Sequence, residues 1–185
     1  MNPEHDLAIL QAMSADLQEY LLSQVLFWQM PAPSNFPKLS LGYLLLIRAR
    51  LLATGSQLPL ERQTELAQVN YVIDAALLKW PVAAEKKATQ ELRSRLNLWA
   101  RFLDESDEDS RAGVENYRHE VNQRVMAALL LSQFPRLADT EEAKRLPPLD
   151  ARLRGKLKAG PFLWPAELQS AFPTAEFWFL YGQLP

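Results

Sequence analysis

Prolines cut this chain into lengths that suit helices, and the apolar residues between them recur at helical spacing. Asn2-Pro3 reads as a helix cap and first turn, and Leu10, Met13, Leu17, Leu21, Val25 and Trp28 follow at intervals of three and four. That spacing predicts one amphipathic helix of about 25 residues. Pro31, Pro33 and Pro37 then demand an extended connector, because each proline disfavours helix in the residue before it. A second helix is expected from about Ser40, apolar on most sides through Leu44, Leu45, Leu46, Ile47, Leu51 and Leu52 and closed by Gly55, so it should be the most buried.

Pro59 can open a third helix carrying Leu66, Val69, Ile73, Ala76, Leu77 and Trp80, until Pro81 kinks or breaks it. Ala88, Leu92, Leu96, Trp99 and Leu103 form the next stripe, with Glu91 and Arg95 one turn apart on a more solvated face. The acidic stretch from Asp104 to Asp109 should interrupt that pattern. After it, Val114, Tyr117, Val121, Val125 and Leu129 predict another long helix ending near Phe134-Pro135.

Further on, Asp139 and Glu142 frame a capping box for a short helix that Pro147-Pro148 should stop. Leu149, Leu153 and Leu157 suggest one or two helical turns, and Pro165 and Thr174 can begin two more short pieces. Strands are not expected, because no bounded period-two alternation and no Asn-Gly or Asp-Gly turn occurs. The expected fold is all-α, an antiparallel bundle of about five longer helices. One domain is expected over residues 1–185, with a bundle core over 1–135 and short helices and an aromatic, proline-rich strap over 136–185.

That strap concentrates seven of the eighteen aromatic residues in the last 25 positions: Phe162, Trp164, Phe172, Phe177, Trp178, Phe179 and Tyr181. So much ring surface must be covered, by the rest of the chain or by a partner. A chain of 185 residues that is 48% hydrophobic has material for a substantial core. Its net charge of −2 gives no general attraction to nucleic acid or an anionic membrane. Without cysteine there is no disulfide, thiolate nucleophile or sulfur-rich zinc site. The first residues resemble no secretory signal, and the run from Leu41 to Ile47 meets Arg48 and Arg50 before reaching membrane-spanning length. Cytoplasm is the default location, and no membrane association is expected.

Motifs that carry chemistry are scarce. Glu115 and His119 stand at i, i+4, whereas carboxylate-bridged di-iron bundles use Glu-x-x-His on two helices. A histidine bonded to its neighbour is the simpler account, and His5 receives no role. Asp104 to Glu115 has the length of a calcium loop, with Asp104, Ser106, Glu108 and Ser110 at odd positions. However, Asp109 replaces the glycine its turn needs, so a solvated connector with Ser110 or Asp109 as a helix cap is favoured. Gly155 and Gly160 have phosphate-loop spacing, but Pro161 and Phe162 stand where lysine and a hydroxyl residue belong. No cofactor is expected. Carboxylates such as Asp74 or Glu85 could still pair in space without leaving a sequence signal.

Two functional expectations follow. The first is a non-catalytic helical protein acting through association, with itself or a protein partner, through an aromatic C-terminal surface anchored by Trp164, Phe177, Trp178 and Tyr181. The alternative is nucleic-acid binding through the segment 144–158, with Arg152, Arg154, Lys156 and Lys158 on phosphates and Trp164 stacking on a base. A metal protein or enzyme using Glu115 and His119 comes third.

Overall fold

The computed structural model describes residues 2–185, the side chains of residues 110 and 112 excepted. Five longer helices dominate: α1 (Pro3–Leu22), α2 (Leu41–Thr54), α3 (Leu60–Lys79), α4 (Pro81–Glu108) and α5 (Ser110–Gln133). Three shorter ones follow, α6 (Glu141–Lys144), α7 (Leu146–Arg154) and α8 (Thr174–Phe177). A minimal antiparallel ladder pairs β1 (Lys158–Ala159) with β2 (Gly182–Gln183). The class is therefore all-α, and among the described residues no helix is long and apolar enough to cross a membrane. The chain divides into two compact units, Met1–Glu91 and Leu92–Pro185, and the division falls inside α4.

In the first unit, Asn2 caps α1 by accepting from the N–H groups of Glu4 (3.0 Å) and His5 (3.3 Å). The helix stops at Leu22, short of the expected run to Trp28. Ser23 ends it: its backbone turns extended, its hydroxyl donates to the Tyr20 carbonyl at 2.8 Å, and its oxygen accepts from the Val25 N–H. The serine thus satisfies a last-turn carbonyl that helix continuation would otherwise have used. The connector doubles back on itself, with Trp28 and Leu39 exchanging two 2.9 Å backbone hydrogen bonds and the three prolines between them.

Both ends of that connector are gripped by α4. Lys87, buried, donates to the Ser23 hydroxyl (3.1 Å) and the Val25 carbonyl, and lies 4.5 Å from the Tyr20 ring centroid. Burial pushes its ammonium below the usual lysine value. Because α1 has no basic residue in its last turn, Lys87 supplies the cation that a helix C-terminus favours. One turn further along α4, Glu91 accepts from the Ser40 hydroxyl (2.7 Å) and the Gly42 N–H (2.9 Å) at the start of α2. Glu91 is 0% exposed and Arg95 is also buried, which corrects the expected solvated face. They border the buried Ala88–Leu92–Leu96 stripe and reach polar partners that apolar spacing does not reveal, as in the 3.0 Å bond from Arg95 to Gln123.

Ser40 and Gly55 bound α2 as expected, and Leu44, Leu46, Ile47 and Leu51 are buried, although Leu52 faces solvent. α1 packs against both α2 and α3. An ion pair joins the buried Asp6 of α1 to the half-buried Arg50 of α2 at 3.0 Å; burial holds the Asp6 carboxyl above its usual value, with Arg50 partly opposing the shift. The break at Trp80-Pro81 is present, and Pro81 opens α4. In α3 only Ile73 and Leu77 are buried.

In the second unit, the acidic stretch does not interrupt the helix. α4 runs to Glu108 and Asp109 alone separates it from α5, capping it by accepting from the Arg111 N–H at 3.0 Å. Such a tight antiparallel corner needs a small residue: a Cβ on Gly113 would lie 2.8 Å from Cβ of Ser106. Below the corner, Trp99, Phe102 and Tyr117 form a ring cluster with centroids 5.4–6.3 Å apart. Thr140, rather than Asp139, caps α6. Pro147-Pro148 sit in the first turn of α7 instead of ending a helix, because proline's fixed φ and missing donor cost nothing there.

Replacing Glu91 with alanine leaves the Ser40 hydroxyl and Gly42 N–H of the buried α2 terminus without this acceptor. Urea denaturation of Glu91→Ala should show a loss of about 3 kcal/mol, whereas an exposed control, Glu61→Ala, should change little.

Candidate interaction surface

The C-terminal rings pack chiefly on one another. Phe172 meets Trp164 and Phe177 edge-to-face at 5.0 and 5.1 Å, Phe177 approaches Phe179 at 6.0 Å, and Phe162 lies 5.1 Å from Tyr181. These are the offset and T-shaped arrangements that ring quadrupoles favour. Phe177 is 4% exposed and belongs to no surface, while Trp164, Trp178 and Tyr181 are half-buried. The Tyr181 hydroxyl donates to the Phe172 carbonyl at 2.7 Å.

Two side chains of α5 hold this segment. Tyr117 donates its hydroxyl to the Phe179 carbonyl at 2.6 Å, and burial pushes that phenol well above its usual range. Arg124 forms a two-bond fork with Asp150 of α7, both bonds 2.8 Å, and its guanidinium carbon lies 4.3 Å from the Phe179 ring centroid. An arginine that satisfies a carboxylate and a ring at once explains how a charged group is tolerated there.

The four basic candidates have internal partners or lie at the edge of the unit. Arg152 pairs with Asp104 (2.7 Å) and Asp107, and Lys156 with Asp107 and the Ser106 hydroxyl. Arg154 lies 3.6 Å from the Trp178 ring centroid, and Lys158 is exposed in β1. The basic segment thus closes against the acidic end of α4, and the structure brings Arg152 and Lys156 together on Asp107. Gly155 caps the C-terminus of α7 and Gly160 donates its N–H to the Tyr181 carbonyl, so the two glycines do not frame a phosphate loop.

Glu115 is exposed and paired with Arg111 at 3.2 Å, and His119 is exposed. His5 meets the Phe36 ring edge-on at 5.4 Å. The calcium-loop candidates Asp104, Ser106 and Glu108 lie in helix, and the Ser110 side chain lies outside the described residues. Among the described residues no three or more of His, Asp and Glu gather as a metal site. Asp74 pairs with Arg48 at 2.8 Å rather than with a second carboxylate.

A different surface stands out on α3. Along the outer side of α3, Leu60, Thr64, Ala67, Tyr71, Asp74 and Leu78 are all exposed, Leu60 by 80%, Tyr71 by 70% and Leu78 by 83%. Their spacing of four and three in alternation places them in one row, about 30 Å long on a 20-residue helix. The buried Ile73 and Leu77 point to a different side of the helix, roughly 120° around from the row. Val82, just past the break, and Leu52 of α2 are exposed as well. The signal was present in the sequence: α3 is apolar at two sets of helical positions, and only one set can face a single core. No family model, curated protein or solved structure matches the chain.

The two surfaces differ in what truncation should do. Phe177→Ala opens a hole in a ring cluster and should cost about 3–5 kcal/mol, whereas Tyr71→Ala and Leu78→Ala should stay within about 0.5 kcal/mol, all measured by chemical denaturation of dilute protein.

Proposed function

We propose that this protein is a non-catalytic helical scaffold whose work is association with another protein chain, and that the binding face is the outer side of α3. The carrying observation is the row of three large side chains, Leu60, Tyr71 and Leu78, each at least 70% exposed on one helix. Isolated exposed leucines are ordinary, but a row at helical spacing is the pattern by which amphipathic helices engage a partner. Composition points to the C-terminal rings for association; we favour α3 because Phe177 is buried and the neighbouring rings pack largely on one another.

Energetics also describe the partner. Full burial of those three side chains is worth on the order of 5–9 kcal/mol, comparable with the ~4–15 kcal/mol lost in immobilising two bodies. One row alone therefore binds weakly, and a stable complex requires an apolar helical face on the other side too. Nucleic-acid binding has less support, since Arg152 and Lys156 already neutralise Asp104 and Asp107.

A photo-crosslinking benzoylphenylalanine placed at position 71 should yield a protein adduct of defined mass in the expressing cell, while the same group at position 178 should not. Adducts from 178 alone, or from neither position, would overturn the proposal.

A further inference from the structure

We infer that the partner is a second copy of this chain, with the two α3 helices packed antiparallel along this row, about a two-fold axis midway between the Ala67 and Tyr71 levels. This rests on the association proposed above and names its occupant. The row is its own complement only in that direction. Reversal sets Leu60 against Leu78 of the second copy, Thr64 beside its Asp74, and Ala67 under its Tyr71, so large meets small at the centre and apolar meets apolar at the ends. A parallel pair would instead stack Tyr71 on Tyr71 and Asp74 on Asp74, a like-charge contact.

Flanking charge favours the same direction. α3 begins with Glu61 in its first turn and ends with Lys79 in its last. Antiparallel packing brings the Glu61 end of one copy to the Lys79 end of the other and opposes the helix dipoles, whereas parallel packing aligns like ends. Asp74, between the centre and the end of the row, has a charge partner in place, the Arg48 guanidinium at 2.8 Å, and it would sit opposite a hydroxyl rather than a second apolar residue.

The cysteine-free chain allows a direct test. Sedimentation equilibrium should show a concentration-dependent dimer, and Tyr71→Glu, with an unchanged helical signal, should weaken it at least about tenfold. In an oxidised mixture of Leu60→Cys and Leu78→Cys chains, the 60–78 disulfide should form far in excess of 60–60 and 78–78, because only the antiparallel register brings these positions within bridging distance. Predominant 60–60 and 78–78 bridges, or a dimer indifferent to Tyr71→Glu, would overturn the inference. A chain that stays monomeric while position 71 cross-links to a protein of different mass would overturn self-pairing and leave α3 as the binding face. A monomer with no adduct would overturn both.

Discussion

The two charges that α4 places one turn apart, Lys87 and Glu91, determine how the first unit closes. Lys87 binds the carboxyl end of α1 and Glu91 the amino end of α2, so one helix satisfies both open termini of a long connector. Each charge is of the sign that the helix end favours, and each is buried among partners that meet its hydrogen-bonding needs. A buried charge costs several kcal/mol in lost solvation unless it is used in this way. With α1 and α2 tied to α4 and α1 packed on α3, the core needs only one face of α3, which buries Ile73 and Leu77. Among the described residues, Leu60, Tyr71 and Leu78 of the same helix are left exposed.

The second unit solves a different problem, that of covering a tail rich in rings and poor in regular structure. α5 supplies Tyr117 and Arg124, which fix the strap through the Phe179 carbonyl and ring, while the rings fill the space beneath. The acidic end of α4 and the basic end of α7 meet at Asp107, so a segment that resembles a polyanion site in composition has carboxylates for ligands. Exposed ion pairs of this kind contribute little stability but occupy the cations.

Much of this was legible from residues whose effect is local. Asn2, Ser40, Gly55, Pro59 and Pro81 all mark boundaries where expected, because caps and prolines act through their own backbone. What escaped were decisions made by distant partners. Ser23 ends α1 while the apolar spacing continues to Trp28, because bonds to Tyr20, Val25 and Lys87 outweigh further helix. Glu91 and Arg95 form an ordinary surface pair by spacing, and only the approach of Ser40 and Gly42 reveals that Glu91 is buried with a purpose. The α3 row is masked in the sequence for a simpler reason: Leu66, Val69, Ile73 and Leu77 supply one apolar stripe on that helix, and Leu60, Ala67, Tyr71 and Leu78 fall outside it.

Hydroxyl-radical footprinting of the intact chain across concentration compares both aromatic surfaces in one sample. If the outer face of α3 is the association surface, Tyr71 and Leu78 should lose labelling as concentration rises, while Trp164, Trp178 and Tyr181 stay constant. Protection of the three C-terminal rings with Tyr71 unchanged would contradict the account and return association to the strap.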